Sequence, residues 1–239
     1  MRQLALDLIA EQPPSLDNFI VGPNAEALAA LRALAAGEAA ARRIHLWGAP
    51  ASGKTHLLRA LVRRPLGPDD PLEAFNREAD PDNRVIAVDD CDQLDDARQL
   101  AVFRLFNRHA GPEGAALLTA SREPPIALNH LRPELRTRLG SGLVLALRPL
   151  TDNEREQTLR EAARASGVQC HDDLFRYLLT RKARDLRTLL AFFAALDRYA
   201  LERKRPLSAA LAREFDAELA AATDAHSSPP PAHMSPGPG

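Results

Sequence analysis

The chain has few cysteines and little net charge, and each shortage excludes a class of protein. Its 239 residues include only two cysteines, Cys91 and Cys170, without a CxxC spacing, so neither a disulfide scaffold nor a zinc motif is expected. The formal net charge is −1, from 31 basic and 32 acidic residues, which argues against a dedicated nucleic-acid-binding domain. With 45% hydrophobic and 26% charged residues, the composition is that of an ordinary globular protein.

Long apolar runs are also missing. No stretch approaches the roughly 20 residues that a membrane-spanning helix needs. The N-terminal segment does not have the pattern of a secretory signal, because Asp7 and Glu11 interrupt its short apolar part. We therefore expect a cytoplasmic protein that has no membrane partner.

A phosphate-binding loop is the clearest motif that is present. Residues Gly48–Thr55, GAPASGKT, match the pattern G-x-x-x-x-G-K-[ST] at every fixed position. A predicted strand at 43–47 precedes the loop and an apolar-rich helix follows it, which is the context that the motif requires. The pattern predicts a nucleoside diphosphate or triphosphate held by Gly48, Ser52, Gly53, Lys54 and Thr55, with Lys54 on the phosphate oxygens and Thr55 on Mg²⁺.

Two consecutive aspartates close the next predicted strand, which covers 84–88. Asp89 is expected to hold the Mg²⁺ shell together with Thr55, and Asp90 to orient or polarise a water molecule. The alternative is a pair of helix-capping aspartates after a buried strand. Beside a complete phosphate-binding loop, the nucleotide interpretation is favoured.

Three further polar residues stand where an ATPase needs them. Ser121 follows a predicted buried strand and is expected to contact the γ-phosphate or the attacking water; a simple polar turn is the alternative. Arg138, before the last predicted core strand, is placed to reach the γ-phosphate of a neighbouring subunit, unless it merely pairs with Glu134 at i,i+4 spacing. Arg187 is expected to fold over bound phosphates from a C-terminal helix.

The order of elements predicts an α/β fold with a second, all-helical part. Strands alternate with helices up to about residue 148, which is typical of a parallel sheet sandwiched by helices. From Pro149 onward the strand patterns stop. The predicted domains are an N-terminal peptide at 1–12, a nucleotide-binding core at 13–148, a helical lid at 149–222 and a disordered Pro/Gly-rich tail at 223–239.

Taken together, the motifs resemble those of the AAA+ ATPases, in the DnaA-like branch and most closely in the Hda family. The resemblance spans about residues 3–220. It rests on Leu16–Gly22, His45–Gly48, Lys54–Leu58, Val88–Asp90, Thr119–Pro125 and Leu186–Leu189.

The N-terminal peptide separates the Hda family from DnaA itself. Gln3-Leu4-Ala5-Leu6-Asp7-Leu8 resembles the peptide by which that family binds the DNA sliding clamp. An extended peptide can place the Gln3 amide in a polar pocket while Leu4, Leu6 and Leu8 lie along an apolar groove. An edge strand or a frayed terminus is the alternative. We also expect no origin-binding helix-turn-helix domain after the lid.

The resemblance implies a regulator of replication initiation whose partners are DnaA and the DNA polymerase III sliding clamp (β subunit). Arg138 would act in trans as an arginine finger, promoting hydrolysis of ATP held by DnaA. The chain itself would bind ADP or ATP with Mg²⁺, Ile20, Val21, His56 and Arg187 adding to the loop residues. DNA would be reached only through the clamp, and self-association is left open.

Departures from the family pattern predict weak or no hydrolysis in the chain's own site. Ser121 stands where relatives commonly have Asp, Glu134 where DnaA has a further phosphate-sensing Arg, and Asp90 where fast ATPases often have Glu. The segment between the loop helix and Asp89 is short and rich in proline, so a helix and a strand of DnaA are expected to be reduced there. The alternative function is a DnaA-like accessory ATPase or helicase loader that uses its own hydrolysis cycle on DNA. A small-molecule kinase is a weaker third possibility, because no acceptor-binding motif is visible.

Overall fold

A computed structural model describes residues 13–76, 85–111, 114–165, 170–181 and 186–227 of the chain. Contacts divide the chain into one unit at Pro13–Thr151 and a second that begins at Asp152. None of the described helices is both long and apolar enough to cross a bilayer. The predicted N-terminal peptide and the tail from residue 228 lie outside the described residues.

The first unit is a parallel sheet with helices between its strands. Its α-helices are α1 (Ala25–Ala35), α2 (Lys54–Leu61), α3 (Asp96–Arg108) and α4 (Pro133–Leu139), and its strands are β1 (Arg43–Trp47), β2 (Val85–Val88), β3 (Ala116–Ser121) and β4 (Leu143–Ala146). Short 3₁₀ turns occupy Leu72–Asn76, Cys91–Gln93 and Pro125–Ala127. The strand order is β2-β3-β1-β4, with all pairs parallel.

Both faces of this sheet are covered, which confirms the predicted fold class. All six residues of β3 are buried, as expected for an apolar strand at the centre of a parallel sheet. Because side chains alternate along a strand, Leu118 packs with Leu31 and Leu57 of α1 and α2. Its neighbour Leu117 packs on the opposite face with Phe106 of α3. The sheet is thus the middle layer of three.

Beside β2, at one edge of the sheet, the described chain pairs through a single bridge instead of a full strand. Leu66 forms a single parallel bridge to Val88, with Leu66 N donating to Ala87 O at 2.8 Å and Asp89 N to Leu66 O at 2.7 Å. Strand β3, in contrast, continues to Ser121, beyond the predicted end at Thr119. That extension places Ser121 inside the sheet instead of in a turn after it.

A buried histidine links the two central strands. His45 is 1% exposed; its Nε2 donates to Ser121 Oγ and its Nδ1 accepts from Thr119 Oγ1, both at 2.8 Å. Ser121 Oγ in turn donates to Glu123 O at 2.6 Å, which assigns the proton of the neutral ring to Nε2. Burial lowers the pKa of His45 to about 4. The histidine is therefore a neutral connector between β1 and β3.

The second unit contains helices α5 (Asp152–Ala165), α6 (Asp172–Arg181), α7 (Leu186–Arg203) and α8 (Ala209–Ser227) in its described part. Phe215 of α8 lies at its centre, fully buried, with ring centroids 5.3 Å from Phe192 and 4.9 Å from Tyr199. The last helix runs further than the predicted lid boundary at residue 222. Burial of aromatic rings gives this unit an apolar core of its own.

The buried histidine generates a prediction about acid stability. Since its folded pKa of about 4 lies below the ordinary histidine pKa of 6.5, the unfolded chain takes up the proton first as the pH falls. The contribution of His45 to the free energy of unfolding is complete above pH 6.5. It falls as the pH drops towards 4, by about 3 kcal/mol in all. Urea titrations at pH 7, 5.5 and 4.5 measure how the free energy of unfolding decreases with falling pH. We expect a smaller decrease for His45→Gln than for the wild type, whereas His130→Gln, at an exposed histidine, should leave the decrease unchanged. Identical slopes for the wild type and His45→Gln would contradict the prediction.

Candidate nucleotide-binding site

The loop between β1 and α2 has a backbone that only small residues allow. A Cβ at Gly48 would lie 2.1 Å from Leu147 O, and one at Gly53 would lie 2.7 Å from Cε2 of Phe19. Gly53 has φ 97° and Ala51 has φ 62°, both in the left-handed region. Residues in this conformation build the backbone concavities that bind anions, directly before the N-terminus of α2.

Two polar groups of the loop are placed to receive an anion. Lys54 is 7% exposed, and its Nζ donates to Gly48 O at 2.6 Å and Ala49 O at 3.1 Å. Burial lowers the pKa of Lys54, an effect that Asp89 and Asp90 oppose. Ser52 Oγ is buried and has no hydrogen-bond partner among the residues that the structure describes. A phosphate would supply acceptors to both side chains, so these residues fit the predicted nucleotide.

The predicted magnesium ligands meet at the end of β2. Thr55 Oγ1 donates to Asp89 Oδ2 at 2.6 Å, and Asp90 N donates to Asp89 Oδ1 at 3.0 Å. In the described part of the chain, no group of three His, Cys, Asp or Glu side chains could hold a metal by itself. Thr55 and Asp89 would therefore share the ion with phosphate oxygens and water, which is how Mg²⁺ is usually bound.

Asp90 has the geometry of a strained functional residue. Its φ of 45° lies in the left-handed region, which Asp tolerates better than most residues. Burial raises the pKa of Asp90, and repulsion from Asp89 and Asp92 raises it further. Asp90 directly precedes the 3₁₀ turn at Cys91–Gln93, but its side chain makes no capping hydrogen bond to that turn. The raised pKa makes its carboxylate a better proton acceptor than an ordinary aspartate, which is compatible with the predicted water-polarising role.

The segment before α1 is attached to the loop helix. His56 Nε2 donates to Ser15 O at 3.0 Å, and the ring of Phe19 lies 5.6 Å from that of His56. Val21 packs against the same core, and Ile20 is half-buried beside it. This attachment places Phe19, which directly precedes the predicted nucleotide residues Ile20 and Val21, against Gly53 of the loop and His56 of α2.

Two site residues were missed by sequence reasoning. Phe19 contacts both Gly53 and His56, although the sequence marked it only as part of a motif. Arg122 lies close enough to Lys54 to lower the pKa of that ammonium group, and it is oriented by Asp92, with Arg122 Nε 3.7 Å from Asp92 Oδ2. The place of Arg122 directly after β3, at the carboxyl edge of the sheet where parallel α/β sheets bind ligands, is the signal that could have found it.

The structure places Ser121 beside the loop but points its hydroxyl into the sheet. Gly48 N donates to Ser121 O at 3.2 Å, so the backbone of Ser121 supports the start of the loop. The side chain is 0% exposed and is held between His45 and Glu123 O. A direct contact of Ser121 with phosphate or water, as predicted, would require this network to open.

Arg138 lies on α4, beside the last turn of α3. Its Nη2 donates to Asn107 Oδ1 at 2.8 Å on α3, and among the described residues it has no recorded pair with Glu134, the partner that i,i+4 spacing offered. The backbone of Arg187 lies in α7, but its side chain is outside the described set, as are the clamp-peptide residues Gln3, Leu4, Leu6 and Leu8. The roles of Arg138 and of these other residues stay predictions.

Comparison with known proteins identifies relatives of the chain. Residues 152–215 match the family model "Hda, lid domain". An uncharacterized protein of Haemophilus influenzae is 30% identical over 220 residues, covering 87% of this chain and 95% of that protein. Domain III of DnaA from Thermotoga maritima superposes with a TM-score of 0.59 at 20% identity, over 84% of this chain and 94% of that one. AMPPCP-bound DnaA from Aquifex aeolicus superposes with a TM-score of 0.59 at 21% identity, over 82% of this chain and 71% of that one. These structures show that the fold is shared.

The loop geometry predicts the effect of removing Lys54. The change Lys54→Ala takes away a buried ammonium group, and we expect the affinity for ADP and ATP to fall on the order of 100-fold because charge-assisted contacts to phosphate are lost. Titration with a fluorescent adenine nucleotide measures the affinity. Arg59→Ala, at an exposed basic residue of the same helix, serves as the matched control. Equal affinities for Lys54→Ala and the wild type would refute the assignment of the loop.

Proposed function

The chain belongs to the Hda family of DnaA-like AAA+ proteins, and we propose from this that it regulates replication initiation by promoting hydrolysis of ATP bound to DnaA. In this proposal Arg138 is the arginine finger, and it acts on a nucleotide held by another chain. The observation that carries the proposal is the place of Arg138: it is held on α3 by Asn107, whereas Lys54, Thr55 and Asp89 form a separate group at the end of the sheet.

The chain's own nucleotide is proposed to be ADP or ATP with Mg²⁺, bound by the loop. The orphaned hydroxyl of Ser52 and the bonds between Lys54 and loop carbonyls support this, as does the AMPPCP named with the Aquifex aeolicus DnaA structure. Thr55 and Asp89 would hold the Mg²⁺, which supplies charge that stabilises bound phosphates. Arg187 is proposed to add a phosphate contact, on the resemblance alone.

Slow hydrolysis in this site is part of the proposal. Ser121, where relatives commonly carry Asp, has its hydroxyl tied to His45 and Glu123 O. Asp90 is one methylene shorter than the Glu of fast ATPases, which reduces its reach towards a water. The bound nucleotide then acts mainly by ordering the loop and the segment attached to it.

The finger assignment is tested by reconstitution. Clamp, DNA, ATP-loaded DnaA and this protein are combined, and the formation of ADP on DnaA is followed. We expect Arg138→Ala to lose stimulation by a factor on the order of 10³, because the guanidinium offsets transition-state charge. Arg138→Lys should restore little, since an ammonium group lacks the planar fork.

Arg136→Ala is the matched control for Arg138→Ala. Arg136 lies on the same helix and is likewise bound to an asparagine, Asn129, at 2.7 Å. Full stimulation by Arg138→Ala would overturn the finger assignment. The accessory ATPase would instead be favoured if this chain hydrolysed ATP by itself, Asp90→Asn abolished that turnover, and the chain bound single-stranded DNA in a salt-sensitive way.

Binding to the sliding clamp is proposed to run through the N-terminal peptide. Gln3 would donate and accept hydrogen bonds through its amide while Leu4, Leu6 and Leu8 contact the apolar groove. The clamp concentrates the regulator near DnaA and accounts for its contact with DNA.

A pull-down on immobilised clamp tests this peptide. We expect Gln3→Ala combined with Leu6→Ala to weaken binding by more than about 100-fold, because a buried amide contact and an apolar anchor are both lost. Asp7→Ala, inside the same peptide but outside the proposed contact set, should bind like the wild type. Undiminished binding of the double variant would exclude this peptide as the clamp ligand.

A further inference from the structure

The surroundings of Arg138 show how a surface arginine is held in one direction. Its Nη2 donates to Asn107 Oδ1 at 2.8 Å, and its Cζ lies 5.8 Å from the centre of the Phe103 ring. Phe103 and Asn107 are four residues apart on α3, so they lie on one face of that helix, one turn from each other. Leu135 and Leu139 of α4 are buried, which fixes the backbone that carries Arg138 against the core.

We propose that Asn107 is a positioning residue for Arg138, assisted by Phe103, and that it presents the guanidinium already oriented to a phosphate held by the partner chain. This inference rests on the proposed function, because it takes Arg138 to be the group that reaches the partner's nucleotide. A free arginine side chain loses rotamer entropy when it docks. A contact that fixes the rotamer beforehand removes part of that cost.

The chemistry of the acceptor suits this task. Elsewhere in the unit, Arg98 and Arg132 pair with the carboxylates of Asp95 and Asp96, which offset the guanidinium charge. Asn107 offers an amide oxygen, which accepts a hydrogen bond and adds no negative charge.

Most of the Arg138 guanidinium stays available to a phosphate. Among the residues that the structure describes, none with a carboxylate forms an ion pair with Arg138. Asn107 takes one of five N–H donors, and the others can make a bidentate contact with phosphate oxygens. Arg138 is thus held while its charge remains available.

The weakness of the contact also matters. A single exposed hydrogen bond from the guanidinium to an uncharged amide and a cation–π contact near the limit of its range are both weaker than a bidentate ion pair. They restrict the side chain without binding it so firmly that a phosphate could not attract it. A carboxylate at position 107 would hold Arg138 more firmly and would compete with the phosphate.

The test separates the maximal rate of stimulation from the affinity between the partners. Hydrolysis of DnaA-bound ATP is measured as a function of regulator concentration. We expect Asn107→Ala to lower the maximal rate roughly five-fold, the size of one solvent-exposed hydrogen bond, with the half-saturating concentration unchanged. Asn107→Asp should lower the rate at least as much, because it neutralises the finger. Asn107→Gln, which keeps the amide oxygen, should restore most of the rate.

Asn129→Ala is the matched control, because it removes the same kind of bond from Arg136 on the same helix. It should leave the maximal rate unchanged. Thermal unfolding checks that Asn107→Ala remains folded, and we expect no loss of stability there because Ala favours a helix more than Asn does. Phe103→Leu keeps the apolar volume but removes the ring, and it should give a smaller decrease than Asn107→Ala.

The outcomes distinguish this inference from the function on which it rests. If Arg138→Ala abolishes stimulation and Asn107→Ala keeps the full maximal rate, the positioning role is wrong and the finger assignment stands. If Asn129→Ala reduces the rate as much as Asn107→Ala, the effect belongs to the helix in general and the inference is overturned. Full stimulation by Arg138→Ala refutes the proposed function and this inference together.

Discussion

The pairing of β1 with β3 is the constraint on which the rest of the site depends. Its register sets Trp47 beside Ser121, and one more backbone bond, from Gly48 N to Ser121 O at 3.2 Å, carries the ladder into the loop. A slip of one residue would turn every side chain of β1 to the opposite face. The hydrogen bonds of His45 to Thr119 and Ser121 join the two strands beyond their backbone ladder and oppose such a slip.

The sequence predicts the local parts of this arrangement well, because local spacing determines them. The loop residues and the aspartates at 89 and 90 are contiguous in the chain, and β1 is observed at Arg43–Trp47 as predicted. What could not be predicted depends on partners far away in sequence. His45 meets Ser121 across 76 residues, and Arg138 meets Asn107 across 31. A single histidine in an apolar run, or an exposed arginine on a helix, shows no sign of such partners.

Ser121 illustrates how a small error in a strand boundary changes a functional interpretation. A serine that follows a strand faces solvent, whereas a serine that ends a strand inside a sheet can be completely buried. The pattern Leu117–Thr119 fits a strand that ends at Thr119 as well as one that continues to Ser121. The pairing of Ser121 with Trp47 shows that the strand continues. The same pairing gives Ser121 a different task, since its backbone carbonyl supports the loop that its side chain was expected to assist.

Strand β4 connects the loop physically to the helix that bears Arg138. Leu147 N donates to Trp47 O at 2.7 Å, and Leu147 O lies so close to Gly48 that it leaves no room for a Cβ there. At its other end, β4 follows α4 after only three residues, 140–142. The loop and Arg138 are therefore joined by one short strand whose position both must share. The ladder between β1 and β4, together with the three-residue link to α4, sets where the helix that bears Arg138 ends relative to the phosphate-binding loop.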